Sequence, residues 1–452
     1  MTHGLLTDLY QLTMAAGYFE AGKSGERATF ELFVRRLPYN RNFILAAGLE
    51  QAVEYLLSLR FTREEVDYLR GLPQFAGTAP EFFQALRDFR FTGDVFAVAE
   101  GTPLFAGEPF LAVRAPLIEA QIPETFLLSI VGFQSMIATK AARVVEAAVG
   151  RDVVEFGTRR AHSPGAGVLA GRAAYIGGCV GTSNTETGFR YRIPVFGTAS
   201  HSWVMSFPEE RLSYEQLQRM MGAATVYLID SYDTLEGARM AASLGRPLWG
   251  VRLDSGDLRA LAPAVRHILD DAGLREARIM ATGDLNEYKI LELAAAGVPI
   301  DVYGVGTDLA TSADAPSLGV VYKMVELEAN GSRRYTAKYS ADKSTLPGAK
   351  QVFRFPSHDQ IGLQSECPGC PPGAKAAEWA EALLRPVVLN GNLLQALPPA
   401  SAARDLARES LRKLPGPCRS LFAQEVGYRV EYSRELTALA ERVRAEIGRG
   451  AL

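Results

Sequence analysis

Three stretches of this chain end an apolar run at an acidic residue or a glycine and then turn helical. They are Val226-Tyr227-Leu228-Ile229-Asp230-Ser231-Tyr232-Asp233, Gly250-Val251-Arg252-Leu253-Asp254-Ser255-Gly256-Asp257 and Ile279-Met280-Ala281-Thr282-Gly283-Asp284. A buried parallel strand that stops at Asp delivers a carboxylate to one edge of its sheet, where loops and helix N-termini gather and α/β enzymes bind their ligands. Arg252 and Asp254, two apart on one strand, point to the same side and offer a guanidinium and a carboxylate to one ligand. Asp284, after the next strand, can join Asp254 around a ribose diol or a magnesium ion, which favours a few carboxylates plus phosphate oxygens. Each aspartate alone reads more readily as a helix N-cap; three along one rim shift the reading toward function.

Other segments converge on the same chemistry. In Val302-Tyr303-Gly304-Val305-Gly306-Thr307 the close glycines let backbone N–H groups approach a phosphate, and in a barrel count this segment falls where phosphate sites gather; a tight strand-to-helix turn is the alternative. Among five histidines, His201 stands out in Phe196-Gly197-Thr198-Ala199-Ser200-His201-Ser202-Trp203, a setting that suits a base or nucleophile at a strand end, though a lone histidine is often structural. His162 is a weaker candidate, and His3, His267 and His358 suggest no role. Glu155-Phe156-Gly157-Thr158-Arg159-Arg160 sets an aromatic face beside guanidinium groups, suited to a flat anionic ring or a phosphate, or simply to a surface arginine pair over a core Phe. Cys367 and Cys370 have the spacing of a zinc knuckle but lack two good further ligands: Cys418 follows, His358 is a poor fourth, and Cys179 falls in an expected barrel strand.

The elements that must position these residues form a long chain of ordinary composition. Its 452 residues are 48% hydrophobic and 22% charged, which implies two domains or one large barrel with additions. A net charge of −3 gives no reason to expect a nucleic-acid surface. No apolar run suggests a membrane helix of roughly 18 residues, the N-terminus lacks the pattern of a signal peptide, and four cysteines cannot form a disulfide framework, so a cytoplasmic setting is expected.

Residues 1–123 mix strand and helix signals and suggest an α+β layer. Over 124–327 a long helix pattern (Phe126 to Val149) gives way to alternating strands and helices, with strands ending near Phe156, Cys179, Phe196, Asp230, Asp254, Thr282 and Gly304 and an eighth at Gly319 to Leu327. That alternation predicts a closed or nearly closed parallel α/β barrel, with an open doubly wound sheet as the alternative. Residues 328–452, with strands at Arg334 to Lys338 and Gln351 to Phe355, are expected to pack back on the first layer as a smaller α+β domain.

Together these segments resemble nicotinate phosphoribosyltransferase. The likeness runs from Thr7-Asp8-Leu9-Tyr10-Gln11-Leu12-Thr13-Met14 through Glu155-Phe156-Gly157-Thr158-Arg159-Arg160, Gly181-Thr182-Ser183-Asn184, Gly197-Thr198-Ala199-Ser200-His201-Ser202, Asp230-Ser231-Tyr232-Asp233-Thr234, Arg252-Leu253-Asp254-Ser255-Gly256-Asp257 and Gly304-Val305-Gly306-Thr307 to Lys343-Ser344-Thr345-Leu346-Pro347-Gly348-Ala349-Lys350-Gln351. So many blocks in order are far more specific than any one glycine loop.

The resemblance implies a homodimer with shared active sites that joins nicotinate to phosphoribosyl pyrophosphate, yielding nicotinate mononucleotide and pyrophosphate, with Mg2+ present and ATP hydrolysis coupled through a phosphohistidine. By it, His201 is the phosphorylated residue and Asp230 the carboxylate paired with its ring. Phe156 and Tyr10, the latter from the other subunit, would sandwich the pyridine; Arg252 or Arg159 would hold a carboxylate or phosphate; Asp254 and Asp284 would take ribose hydroxyls or the metal; and Gly304, Gly306 and Thr307 would hold the 5′-phosphate. Asn184 stands where related nicotinamide-using enzymes have an acid, which favours nicotinate. A phosphoribosyltransferase for nicotinamide or quinolinate, or a non-catalytic phosphometabolite-binding protein, are the alternatives.

Overall fold

The computed structural model describes residues 4–339, 344–366, 380–422 and 427–450. The chain divides into two compact units: Met1–Ser135 with Ser317–Pro398 and Ser410–Leu452, and Met136–Pro316 with Pro399–Glu409. The first cut lies inside the helix Glu124–Ala147, past the expected boundary at 123/124.

The first unit is built on an antiparallel sheet of seven strands in the order Ser332–Tyr335, Val320–Ala329, Arg27–Val34, Pro109–Pro116, Asp94–Ala97, Arg385–Leu389, Asn392–Leu393. Arg27–Val34 is buried along nearly its whole length and lies in the interior of the sheet, between Val320–Ala329 and Pro109–Pro116. Its neighbour corrects the sequence analysis: the strand expected as the eighth of the barrel, Gly319 to Leu327, pairs antiparallel with Arg27–Val34, from Arg27 opposite Glu328 to Val34 opposite Val320. Lys323, Glu326 and Glu328 interrupt its apolar run, as suits an antiparallel strand more than one buried on both faces. A second sheet in this unit orders Glu381–Ala382, Lys350–Arg354, Asp359–Leu363 and Val430–Tyr432.

The second unit carries a six-stranded sheet whose recorded pairings are all parallel, in the order Gly181–Thr182, Asp152–Glu155, Val302–Val305, Arg278–Ala281, Gly250–Leu253, Val226–Leu228. A parallel bridge from Thr182 to Val195 prolongs the sheet by one more segment. Helices follow the strands because the sequence caps them. Asp233 accepts from the N–H groups of Leu235 and Glu236, at 3.0 and 2.9 Å, to start Thr234–Leu244. Asp257 accepts from Arg259 N–H at 3.0 Å to start Leu258–Asp271, whose Ala262, Val265 and Leu269 are buried at helical spacing. Cys179, expected inside a barrel strand, lies in the turn between the helix Pro164–Ile176 and the short strand Gly181–Thr182.

Among the described residues one helical stretch, Leu117–Ala147, is long and apolar enough to cross a bilayer by length and composition, against the expectation that no apolar run suggests a membrane helix. In its most apolar window 67% of the residues are buried within the protein, as in a core helix.

Candidate active site

All strands of the parallel sheet run the same way, so the residues following their C-terminal ends share one edge. Along it stand Phe156, Thr182, Asp230, Asp254, Thr282 and Gly306, each at or just beyond a strand end.

At the heart of this edge is Arg252, whose side chain is only 12% exposed. Its Nε donates to Thr282 Oγ1 at 3.0 Å, Nη1 to Thr198 Oγ1 at 2.7 Å and to the Ala199 carbonyl at 3.4 Å, and Nη2 to Asp254 Oδ1 at 2.7 Å. One guanidinium thereby ties two strand ends to the segment that carries His201. Most of its N–H groups already have protein partners, so its first role is to hold the site's shape.

The same Asp254 oxygen also takes a short hydrogen bond from Thr282 Oγ1. Burial pushes the Asp254 carboxyl up, but the Thr282 hydroxyl, Arg252 and His201 together outweigh it and hold the group below the usual aspartate range. Its second oxygen, Oδ2, lies 3.7 Å from His201 Nε2, too far for a hydrogen bond and close enough for charge to be felt. The tight turn beneath is possible because Gly283 has φ +88 and a Cβ there would sit 2.1 Å from the Asp254 carbonyl oxygen.

His201 opens the short helix His201–Met205, and its side chain is 41% exposed. Nδ1 lies 3.1 Å from Ser231 Oγ. The pairing expected with Asp230 does not occur: Asp230 Oδ2 instead accepts from the Asp254 backbone N–H at 3.1 Å and from Ser255 Oγ at 2.5 Å, stitching two strand ends together. Its Oδ1 is buried without a hydrogen-bond partner among the described residues. The ring's neighbours are Ser231, one residue further along, and Asp254.

Phe156 packs across Gly304. A Cβ on Gly304 would lie 2.7 Å from Phe156 Cδ2 and 2.5 Å from Thr282 Cγ2, so the glycine is fixed by the aromatic ring beside it. At Gly306 a Cβ would meet nothing closer than 3.4 Å, an ordinary contact, so crowding does not account for glycine there. Gly306 precedes the helix Thr307–Ala310. Next along the edge Glu155, fully buried, accepts from Thr182 Oγ1 at 2.6 Å and through a short bond from Gly157 N–H; burial pushes its carboxyl above the usual range despite those bonds. Asn184 follows, 6% exposed, its Oδ1 capping the helix Thr185–Tyr191 through Thr187 N–H at 2.9 Å.

The remaining candidates are less engaged. Asp284 sits exposed at φ +46, and its backbone carbonyl accepts from Lys289 Nζ at 2.8 Å. Arg159 is exposed. Tyr10 belongs to the first unit, on the helix Leu9–Glu20, and is 49% exposed. Cys367 and Cys370 lie outside the described residues. Of their suggested companions, Cys179 and Cys418 are buried free thiols, and no cluster of three or more His, Cys, Asp or Glu suited to a metal occurs among the described residues. Sequence reasoning missed Ser231, Thr198 and Thr282 as partners; each stood inside a quoted segment, and only the fold shows which way its hydroxyl points.

Residues 5–132 match the model for the nicotinate phosphoribosyltransferase (NAPRTase) N-terminal domain, and residues 137–316 that for the quinolinate phosphoribosyl transferase C-terminal domain. Nicotinate phosphoribosyltransferase pncB2 of Mycobacterium tuberculosis is 43% identical over 98% of this chain and 93% of its own length. The chain belongs to the nicotinate phosphoribosyltransferase family. The crystal structure of human nicotinic acid phosphoribosyltransferase superposes with a TM-score of 0.83 at 31% identity, covering 96% of this chain and 99% of the human one. A nicotinate-nucleotide pyrophosphorylase from Pyrococcus furiosus follows at 0.72 and 26%, covering 91% and 95%. These transferases share the mixed α/β fold in which the polar edge lies.

Proposed function

We propose that the chain joins nicotinate to phosphoribosyl pyrophosphate in NAD salvage, and that it phosphorylates His201 from ATP in doing so. The observation that carries this reading is the half-exposed imidazole set between Ser231 and Asp254 on the polar edge of the parallel sheet. With Nδ1–H donated to Ser231 Oγ, Nε2 keeps its lone pair and attacks the γ-phosphorus of ATP; the bond to the β,γ-bridging oxygen breaks and ADP leaves. Asp254, 3.7 Å away, favours the ring when it carries positive charge.

In the transfer step the bond from the ribose anomeric carbon to pyrophosphate breaks as the nicotinate ring nitrogen bonds to that carbon, through an oxocarbenium-like centre. Phe156 offers the ring a flat apolar wall. Gly304, Gly306 and Thr307 take the 5′-phosphate, supported by the glycine at 306 that packing does not require. Asn184 favours the acid: an aspartate would cap its helix equally well, so the amide's second role is its Nδ2 donor. Arg159, exposed, is free to meet the nicotinate carboxylate or a phosphate.

A magnesium ion fits the donors that remain. Asp254 Oδ2 and the exposed Asp284 would hold it together with substrate oxygens, the arrangement magnesium prefers, and it would supply charge neutralisation for departing pyrophosphate. The parallel sheet closes in this reading as an irregular TIM-like barrel with a smaller α+β domain, in a cytoplasmic enzyme. A homodimer with shared sites is supported by Leu6, Leu9, Tyr10 and Met14, exposed at 54, 41, 49 and 36% along one short N-terminal stretch, from which Tyr10 would stack on the partner's substrate.

The likeness of residues 137–316 to a quinolinate enzyme favours quinolinate as the second reading. Nicotinate, nicotinamide and quinolinate offered side by side, with and without ATP, separate the two by product. Nicotinate mononucleotide made fastest from nicotinate with ATP is the expected result; carbon dioxide released from quinolinate without ATP would overturn it. His201→Ala should lose acid-labile phosphate incorporation, and its persistence would move the phosphate elsewhere.

A further inference from the structure

Behind the glycine edge of the second unit lies a lysine that the catalytic proposal does not use. Lys140 is 1% exposed, and its ammonium is 2.5 Å from Glu287 Oε2, 2.5 Å from Asp308 Oδ1 and 2.9 Å from Asp314 Oδ1. Arg143 holds the other Glu287 oxygen at 3.0 Å and donates to Tyr288 OH at 2.9 Å. Burial disfavours the lysine's charge, but Glu287, Asp308 and Asp314 more than offset it and hold the group protonated above the ordinary lysine range.

The three carboxylates belong to different parts of the edge. Glu287 begins the helix after the Asp284 turn, Asp308 follows Thr307 in the short helix after Gly306, and Asp314 lies in the turn beyond. A point charge with three donors can join three such segments at once, where a planar guanidinium would favour bidentate contact with one. It also cancels negative charge that would otherwise face any anion bound at Gly306 and Thr307, since Asp308 is the very next residue.

We infer that Lys140 is a positioning residue for the phosphate-binding edge: it fixes the Asp284 and Gly306 loops relative to each other and neutralises Asp308, so that phosphoribosyl pyrophosphate, an anionic sugar phosphate, can bind beside it. This rests on the functional reading above for the identity of the ligand. Replacing Lys140 leaves buried Glu287 and the partly exposed Asp308 and Asp314 short of countercharge next to the anion site, and removing one carboxylate returns part of what was lost.

Binding of phosphoribosyl pyrophosphate measured by calorimetry, beside steady-state KM values for both substrates and a melting curve, tests the inference in Lys140→Met, Asp308→Asn and the double variant. Lys140→Met is expected to weaken phosphoribosyl pyrophosphate by about ten-fold while the nicotinate KM stays within about two-fold. Adding Asp308→Asn should recover most of that loss. A lowered melting point with unchanged affinity, equal weakening of both substrates, or a double variant no better than Lys140→Met would each overturn it. If Lys140→Met does not fold, Lys140→Arg takes its place: a several-fold loss confined to phosphoribosyl pyrophosphate is expected, and none overturns the inference. Wild-type protein that binds phosphoribosyl pyrophosphate yet makes no nicotinate mononucleotide would sink the functional reading and leave the role of Lys140 standing.

Discussion

Two arginine–aspartate pairs, one in each unit, show how the same chemistry serves opposite ends. In the first unit Arg354 grips Asp359 with Nε at 3.0 Å from Oδ1 and Nη2 at 2.6 Å from Oδ2, Tyr428 OH adds a bond to Oδ1 at 3.2 Å, and the aspartate is fully buried. Beside it Glu108, also fully buried, is pushed far above the usual glutamate range by burial and by the Asp359 charge. Every charge there is matched or suppressed, and both oxygens of Asp359 are engaged. On the polar edge of the second unit Arg252 touches only one Asp254 oxygen, the carboxylate is 27% exposed, and Oδ2 still faces His201. A closed pair stabilises a fold; a pair with one oxygen left over can bind something else.

The largest effect should come from opening the closed pair. Arg354→Met leaves Asp359 buried beside Glu108 without its cation, which costs about 3–5 kcal/mol of folding stability. Denaturant unfolding should show that loss, while turnover per folded molecule below the transition stays near wild type. A small loss would mean that water or a shared proton already compensates the pair.

At the open pair the response should reverse. Asp254→Asn keeps an amide oxygen to accept from Arg252 and Thr282, so the melting midpoint should move little. It removes the negative charge facing His201, and turnover should fall by about a hundred- to a thousand-fold, the scale of losing one electrostatic partner at a reacting centre. Full turnover with a lowered midpoint would make Asp254 a structural anchor like Asp359.

Much of this contrast was legible in the sequence, and the part that was not has a physical cause. Strands that end in Asp announce an edge, and Arg252 with Asp254 could be placed on one side of it because side chains alternate along a strand. Beyond the last paired residue the pleat no longer dictates direction, so Asp230 and Ser231 could not be ranked as partners of His201, and the fold chose the serine. Val320–Ala329 shows a second limit: a strand pattern states that a strand forms and leaves its sheet to be decided by neighbours far away in the chain. Lys140 shows a third, since its bonded carboxylates Glu287 and Asp314 lie 147 and 174 residues further on and no local pattern marks the meeting.

The finest test of the comparison removes a single hydroxyl. Thr282 is 4% exposed, donates to Asp254 Oδ1 and accepts from Arg252 Nε. Thr282→Val keeps the shape and strands a buried guanidinium N–H, at a cost of about 1–3 kcal/mol. It also removes one of the contacts that hold the Asp254 carboxyl below its ordinary value. A depressed carboxyl adds stability above its unfolded pKa of about 3.9 and loses that contribution as pH falls through the folded value. In the valine variant the folded value rises toward 3.9, so this contribution shrinks and the acid limb of kcat/KM moves to higher pH. A lower midpoint with the acid limb unmoved would show that the hydroxyl orders Arg252 alone, and that the charge of Asp254 is set by its arginine.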